Sequence, residues 1–524
     1  MKTSSGRVAL AVLAAAALFA IAVGAAGAGG KAPAKNGGTL TVGLAEDPDA
    51  LDPTLARTFV GRMVFTTFCE KLYDINKSLQ IVPQLAAGLP KISADKKTVT
   101  IRLRRGIKFN DGTPFNAQAV KAAIERHKSL ARSARASELT PVDSVDAVGA
   151  STVVIHLNTP FAPLTSLLAD RSGMIPSSTA AAKPNFAANP VCVGPFDFVS
   201  RQVGDRITFK KSNQYYNKKK VHLSQIVFRI ITQPSAMTAA LRAGDIDVAD
   251  RLQSSDLPSL QKVKSLHLVK VTTIGYQGLT INIGNKNGLR RPYANVGTPL
   301  ALKPGLRQAF ELSLDRKAIA RLIFNNTVTP GCGPISPVLK AWHNTKEKCS
   351  GRNVARAKQL VAASGIKTPI TVHLMIGTDT VAARLGALIQ NEASAAGFNV
   401  ELQPTEFTTS LNKADAGDFD VFAVGFSGRV DPDGTVYGFV HTGGSLNDSG
   451  YSNPLVDRLM DQARSARSPK ARRTLYNAAF KIVARDRPLI YLWYPNNYTG
   501  VLDKVTGVSV FGDGLIRAAF AQFK

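Results

Sequence analysis

The strongest constraint in this chain is an alternation of strand and helix between residues 370 and 426. Ile370–Ile376 is an apolar, β-branched run of strand length. Val381–Ala396 follows with Val381, Leu385, Leu388, Ile389 and Ala396 at helical spacing, and Gly397 ends it. Val400–Leu402 and Asp420–Phe426 are again strands. Parallel strands need long crossovers, usually helical, so this order predicts a parallel βαβ arrangement. In open parallel sheets ligands bind beyond the carboxyl ends of the strands. That rule directs attention to the loop Gly425–Phe439, GFSGRVDPDGTVYGF, after the last strand of the series.

The remainder of the chain is organised differently. Thr98–Leu103 alternates, with Val99, Ile101 and Leu103 on one side, which reads as a half-buried strand. Asn110-Asp111-Gly112 is a turn, and Asn116 is placed to cap a helix carrying Val120, Ala123, Ile124 and His127. Val64–Leu72 reads as a short helix, and Pro234–Ala243 as a helix stopped by Gly244. Gly275–Ile283 and Leu489–Tyr494 are extended runs. With 524 residues the chain has room for two or three domains and a large core.

Lys2 and Arg7 precede the uncharged run Val8–Val23, and Gly24-Ala25-Ala26-Gly27-Ala28 follows. This is the pattern of a secretory signal cleaved after Ala28, with an uncleaved anchor as the alternative. No Cys precedes Cys69, which excludes a lipid anchor in this part of the chain. Residues 29–36 read as a disordered leader. Four Cys in an exported chain imply disulfides. Cys332 and Cys349 bracket a Gly/Pro-rich loop and form the first expected pair; Cys69 and Cys192 are left for each other, with free thiols as the alternative. The net charge of +28 could serve nucleic acid, a membrane surface or an acidic ligand, but no run of five Lys/Arg occurs, so nucleic acid is not expected.

Several stretches resemble family 5 of the extracytoplasmic solute-binding proteins, the peptide and nickel receptors of ATP-binding-cassette importers. They are IRLRRGIKFNDGTPFNAQAVKAAI within 98–127, TLTVGLAEDPDALDP after Gly38, VPQLA at 82–86, NPVCVGPFDF at 189–198, ALRAGDIDVAD at 240–250 and QAFELSLDRKAIARLIF at 308–324. The resemblance runs from about Gly37 to the C-terminus. It implies an α/β fold, a two-lobed clamp of the periplasmic-binding-protein type with a subdomain inserted in the first lobe. Lobe I would comprise 37–77 and 170–280, the inserted subdomain 78–169 and lobe II 281–496, with 497–524 returning to lobe I. Gly275–Ile283 would carry the chain between lobes, and Leu489–Tyr494 would carry it back.

No local motif marks an enzyme. G-x-S-x-G, Walker A, G-x-G-x-x-G, H-E-x-x-H and C-x-x-C are all absent, and the seven His are scattered. No catalytic residue, cofactor or metal ligand is therefore expected. The candidate ligand-binding residues are Phe426, Arg429, Asp431, Asp433 and Tyr437 in the loop, with Tyr276 and Asn282 on the extended run. The family's dipeptide binders resemble the loop but carry an acid before the Asp-Pro, where it meets the ligand's ammonium; this chain has Arg429 there. A guanidinium is suited to a carboxylate or phosphate. Either the ligand supplies that anion, or Asp431 or Asp433 does. The expected function is capture of a peptide or similar small solute outside the membrane, for delivery to a membrane permease, by a monomer. A secreted hydrolase and a non-transport sensor or chaperone are the rivals.

Overall fold

A computed structural model describes residues 37–289, 292–346, 348–466 and 468–524. The signal and leader expected over 1–36 lie outside the described residues. Three sheets carry the architecture. The first has seven strands in the order Leu266–Thr272, Asn496–Leu502, Val248–Ala249, Thr39–Leu44, Gln225–Ile230, Arg206–Lys211 and Phe196–Gln202. The second has six: Thr329–Pro330, Leu489–Tyr494, Tyr276–Ile281, Val421–Phe426, Ile370–Ile376 and Phe398–Pro404. The third is a four-stranded antiparallel sheet of Lys91–Ile92, Thr98–Arg102, Thr152–Leu157 and Val142–Val148.

The βαβ reading holds. Ile370–Ile376 pairs in parallel with Phe398–Pro404 on one side and with Val421–Phe426 on the other. The helix Thr380–Ser394 between them buries Leu385, Ile389 and Ala393 in a core shared with Leu374, Val400 and Phe398. Two antiparallel strands, Tyr276–Ile281 and Leu489–Tyr494, continue the sheet beyond Val421–Phe426, and Thr329–Pro330 forms its edge. Their long apolar runs follow from position: a central strand is buried on both faces.

These two strands are also where the chain passes between sheets. Leu266–Thr272 belongs to the seven-stranded sheet and Tyr276–Ile281 to the six-stranded one, so the first passage is at 273–275. The border read from sequence at 280/281 falls a few residues late, because an apolar run does not show which sheet supplies its hydrogen bonds. The second passage is at Pro495, between Leu489–Tyr494 and Asn496–Leu502. The passages touch: Thr273 donates from both N–H (3.1 Å) and Oγ1 (2.9 Å) to the Pro495 carbonyl. Two short adjacent segments that join two sheets form a hinge.

The seven-stranded sheet packs on the helix Phe59–Phe68, which buries Val60, Met63, Val64 and Phe65. The helix begins earlier than the sequence pattern indicates, since Thr58 Oγ1 accepts from the Gly61 N–H and caps it. Cys69, just past its end, is bonded to Cys192, and both are buried in the same core. Cys332 is bonded to Cys349 across 17 residues. In the four-stranded unit Asn116 caps the helix Ala117–Ser129 by accepting from the Ala119 N–H, and that helix packs Val120 and Ile124 against Val99, Ile101 and Val153.

Candidate functional site

A cleft of about 460 Å³ lies between the two large sheets. Thr273, Gly275, Pro495 and Asn496 of the two passages form part of its lining. Phe59, Arg57 and Tyr498 line it from the lobe of the seven-stranded sheet, and Phe426, Phe439 and Trp493 from the other. The segment at Gly275 lies tight against the loop at 426–428: a Cβ on Gly275 would sit 2.4 Å from the Phe426 carbonyl oxygen, and one on Gly428 (φ +72°) 2.2 Å from that of Ile274. Those two glycines allow hinge and loop to share one wall.

The lobes touch at several polar points around the cleft. Arg57 on one side pairs with Asp415 on the other at 2.5 Å. The Arg62 guanidinium, on the helix Phe59–Phe68, donates to Ser427 Oγ (3.0 Å) and to Asp170 (3.0 Å). Ser137 and Ser445 hydroxyls meet at 2.7 Å, and the Ala162 N–H donates to the Arg464 carbonyl at 2.9 Å. Cross-lobe bonds on this scale describe a closed clamp.

Arg429 does not wait for a ligand. Its Nε is ion-paired with Asp170, and its guanidinium also donates to the Gly428 carbonyl at 2.7 Å and lies 4.8 Å from the Phe426 ring centre. Burial, then repulsion from Arg62, pushes the Arg429 guanidinium down to about 10. Burial works against the Asp170 carboxylate, but Arg429 and Arg62 outweigh it and hold the group well below the usual carboxylate range. The internal anion is therefore neither Asp431 nor Asp433 but a residue 259 positions away in the sequence. Arg171 and Arg135, both buried, complete the cluster. Arg171 Nη1 donates to the carbonyls of Ala56 (2.7 Å) and Thr58 (3.4 Å), and Arg135 Nη1 to Glu138 (2.6 Å).

Asp431 and Asp433 serve as anchors. Asp431 caps the helix Pro432–Val440 and takes a two-pronged bond from Arg472 (2.7 and 2.8 Å). Asp433 takes the same from Arg464 (2.8 and 2.9 Å). Arg464 lies on the helix Pro454–Ser465 and Arg472 on Pro469–Asp486, so the pairs bolt the loop to both. Tyr437 packs under Arg464, its ring centre 3.0 Å from the guanidinium carbon, and its hydroxyl donates to Asp461. None of these three is on the cleft wall.

Two other expected contacts also face elsewhere. Tyr276 is buried among Tyr491, Phe426 and Phe439, with ring centres 4.8, 6.4 and 6.4 Å away. Asn282 donates to the carbonyls of Gly417 (3.0 Å) and Phe419 (3.1 Å), tying two chain segments together. Of the seven residues named from sequence, the structure brings Phe426 and Arg429 to the cleft. Sequence reasoning missed Arg57, Arg135, Arg171 and Asp448, all of which line it. Asp448 is buried, its Oδ1 has no hydrogen-bond partner among the described residues, and burial pushes its carboxyl up to about 7, with Arg57 opposing and Asp415 adding to the rise.

Two lobes joined by paired crossing segments, with a closed cleft between them, define a hinged solute receptor. The chain belongs to the bacterial extracellular solute-binding proteins, family 5, whose model matches residues 80–447. It is 25% identical to the oligopeptide-binding protein OppA of Bacillus subtilis, over 97% of this chain and 98% of that one. It is also 25% identical to the glutathione-binding protein GsiB of Pectobacterium atrosepticum, over 89% and 90% of the two chains. Among solved structures, the ABC transporter-associated periplasmic binding protein DppA from Helicobacter pylori, in complex with the peptide STSA, superposes with a TM-score of 0.84 at 21% identity, over 93% of this chain and 98% of that one.

Proposed function

We propose that this protein is exported, captures a peptide-sized solute in the cleft as a monomer, and delivers it to the permease of an ATP-binding-cassette importer. The observation that carries this reading is a cleft of about 460 Å³ lined from both lobes and backed by the hinge. That volume is within the range of roughly 300–1,000 Å³ for small-molecule sites. Relatives that bind oligopeptides and glutathione support a solute of that size. Phe426 and Phe439 supply apolar wall, and the arginines and Asp448 supply polar groups. Among the described residues no helix is long and apolar enough to cross a membrane. An export signal over residues 1–28 would place the receptor outside the cell, as the family's description has it.

The test is to denature and refold the full chain to strip bound solute, then compare small-angle scattering with and without a mixture of di- to tetrapeptides. The expected result is a more compact particle and a higher melting temperature with peptide; at about 100 times the dissociation constant the gain is about 2.7 kcal/mol. Binding without compaction would argue against a clamp. Release of a labelled cleavage product from the same peptides would favour a hydrolase.

A further inference from the structure

The cluster beside the cleft holds more positive charge than it can neutralise. Arg62, Arg135, Arg171 and Arg429 are 5, 2, 1 and 7% exposed. Against these four guanidinium groups stand the carboxylates of Asp170 and Glu138. Adding the next ion pair, Arg517 with Asp513, contributes one charge of each sign and leaves the excess at two. The two carboxylates are already engaged: Asp170 bridges Arg62 and Arg429, and Glu138 accepts from Arg135 and from the Ser172 hydroxyl.

Glu138 answers Arg135 at Nη1 and Asp170 is divided between Arg62 and Arg429, so among the described residues no carboxylate is bonded to Arg171, and the donors left over are on Arg135 and Arg171. Both line the cleft, and the Nε of each is buried without a hydrogen-bond partner among the described residues. Among the described residues Arg171 donates to backbone carbonyls alone, which carry no charge. Burial, and then Arg135, hold its guanidinium well below the ordinary arginine value, with the neighbouring Asp170 carboxylate opposing but not offsetting them. A buried guanidinium without an anion is costly, and a forked donor pair is matched by carboxylate or phosphate oxygens.

We propose that the captured solute carries an anionic group, a carboxylate or a phosphate, that docks on Arg135 and Arg171, while Arg429 is withheld from that role by Asp170. The inference rests on the receptor reading and names the chemistry of its cargo. It moves the anion site away from the loop residue that sequence alone brings forward, to a pair contributed by the segment 130–141 and by the turn Arg171–Gly173.

The stripped full chain is assayed by thermal shift and calorimetry at fixed ionic strength with four probes: trialanine, trialanine amide, succinate and inorganic phosphate. Shifts from trialanine or succinate, but not from the amide, are expected for a carboxylate cargo; a shift from phosphate alone assigns the site to phosphate. Arg171→Gln should weaken the responding anion by about 30-fold or more, the scale for cutting one partner from a buried charge pair. Because Arg171 also holds two carbonyls, Arg135→Gln is measured beside it, with Arg206→Gln, an exposed arginine outside the cleft lining, as the variant that should leave anion affinity unchanged. Equal binding of trialanine and its amide, or no shift from any probe, overturns the inference. A shift that survives both Arg135→Gln and Arg171→Gln means an adventitious ion only, and overturns it too. If peptides bind and compact the particle without regard to their carboxylate, this proposal fails and the receptor reading stands. If nothing compacts the particle, the receptor reading itself has failed.

Discussion

The loop after Val421–Phe426 separates two kinds of buried ion pair. On its far side Asp431 and Asp433 each meet one arginine in a two-pronged bond, Arg472 and Arg464, one charge for one charge. On its near side Asp170 is shared between Arg62 and Arg429, and two further arginines stand close with only Glu138 to answer them. The first arrangement is complete within its lobe. The second reaches across the lobes through Arg429 and Asp170 and is left positive. A balanced pair stores no instruction for a ligand; an unbalanced one facing a cleft does.

The largest effect should come from breaking the balanced side. Asp433→Ala leaves Arg464 buried without its partner and should cost about 3–5 kcal/mol of stability, measured by urea unfolding. Scattering of the ligand-free protein should change little, because this pair does not join the lobes. The near side should respond the other way round. Asp170→Asn keeps the shape but strips the anion from two arginines; about 2–3 kcal/mol is expected from leaving a charged donor poorly satisfied. Much of it should appear as opening, seen as a larger radius of gyration. If Asp433→Ala opened the clamp, or Asp170→Asn left it closed, the division between the two sides would be wrong.

This division explains what the sequence could and could not tell. The parallel strands were legible because each is a continuous apolar run bounded by a helix of clear period, as at Ile370–Ile376 and Thr380–Ser394. The position of the loop followed from them. What each loop charge does was not legible, because sign and spacing do not identify a partner. Asp431-Pro432-Asp433 shows itself in the sequence as a turn; that its carboxylates face Arg464 and Arg472 depends on how two later helices pack. Arg429 meets Asp170 across the two lobes, at a separation in sequence that no local pattern reveals. Asp170-Arg171 lies in LADRSG, where nothing local distinguishes it from a solvated pair. Tyr276 opens the crossing strand and Asn282 follows its end, and their surroundings depend on packing that the run does not display: an aromatic cluster for the first, backbone carbonyls for the second.

Acidity offers a third way to probe the comparison. Asp448 on the cleft wall and Glu70 in the core of lobe I are each pushed up to about 7 chiefly by burial. A carboxyl whose folded value is raised binds its proton more tightly in the folded state. Its contribution is therefore fully present below the ordinary carboxylate value near 4 and is lost as pH rises toward 7. His127, buried and held down to about 4, acts oppositely: stability rises with pH between about 4 and 6.5. Asp448→Asn should remove part of the decline, a gain on the order of 2 kcal/mol at pH 8. The gain should be larger at pH 8 than at pH 5, checked by melting at both. A pH-independent effect would mean that Asp448 is ionised throughout, already paired with Arg57.

The smallest effect is expected at the pair that most visibly bridges the lobes. Arg57 and Asp415 meet at 2.5 Å, but their side chains are 16 and 32% exposed. Water shares both charges, so the pair should contribute only about 0.2–1 kcal/mol, as other exposed pairs do. A double-mutant cycle of Arg57→Gln and Asp415→Asn measures it, and raising salt to about 1 M, where the screening length falls to about 3 Å, should reduce the coupling further. Arg57 has a second neighbour, Asp448, whose proton it disfavours. Removing Arg57 should therefore carry the Asp448 titration to higher pH, while removing Asp415, a like charge, should carry it lower. Opposite displacements in the two single variants would show that Arg57 acts on the cleft wall more than on the contact between the lobes. Displacement in the same direction would return the pair to the role of a simple surface bridge.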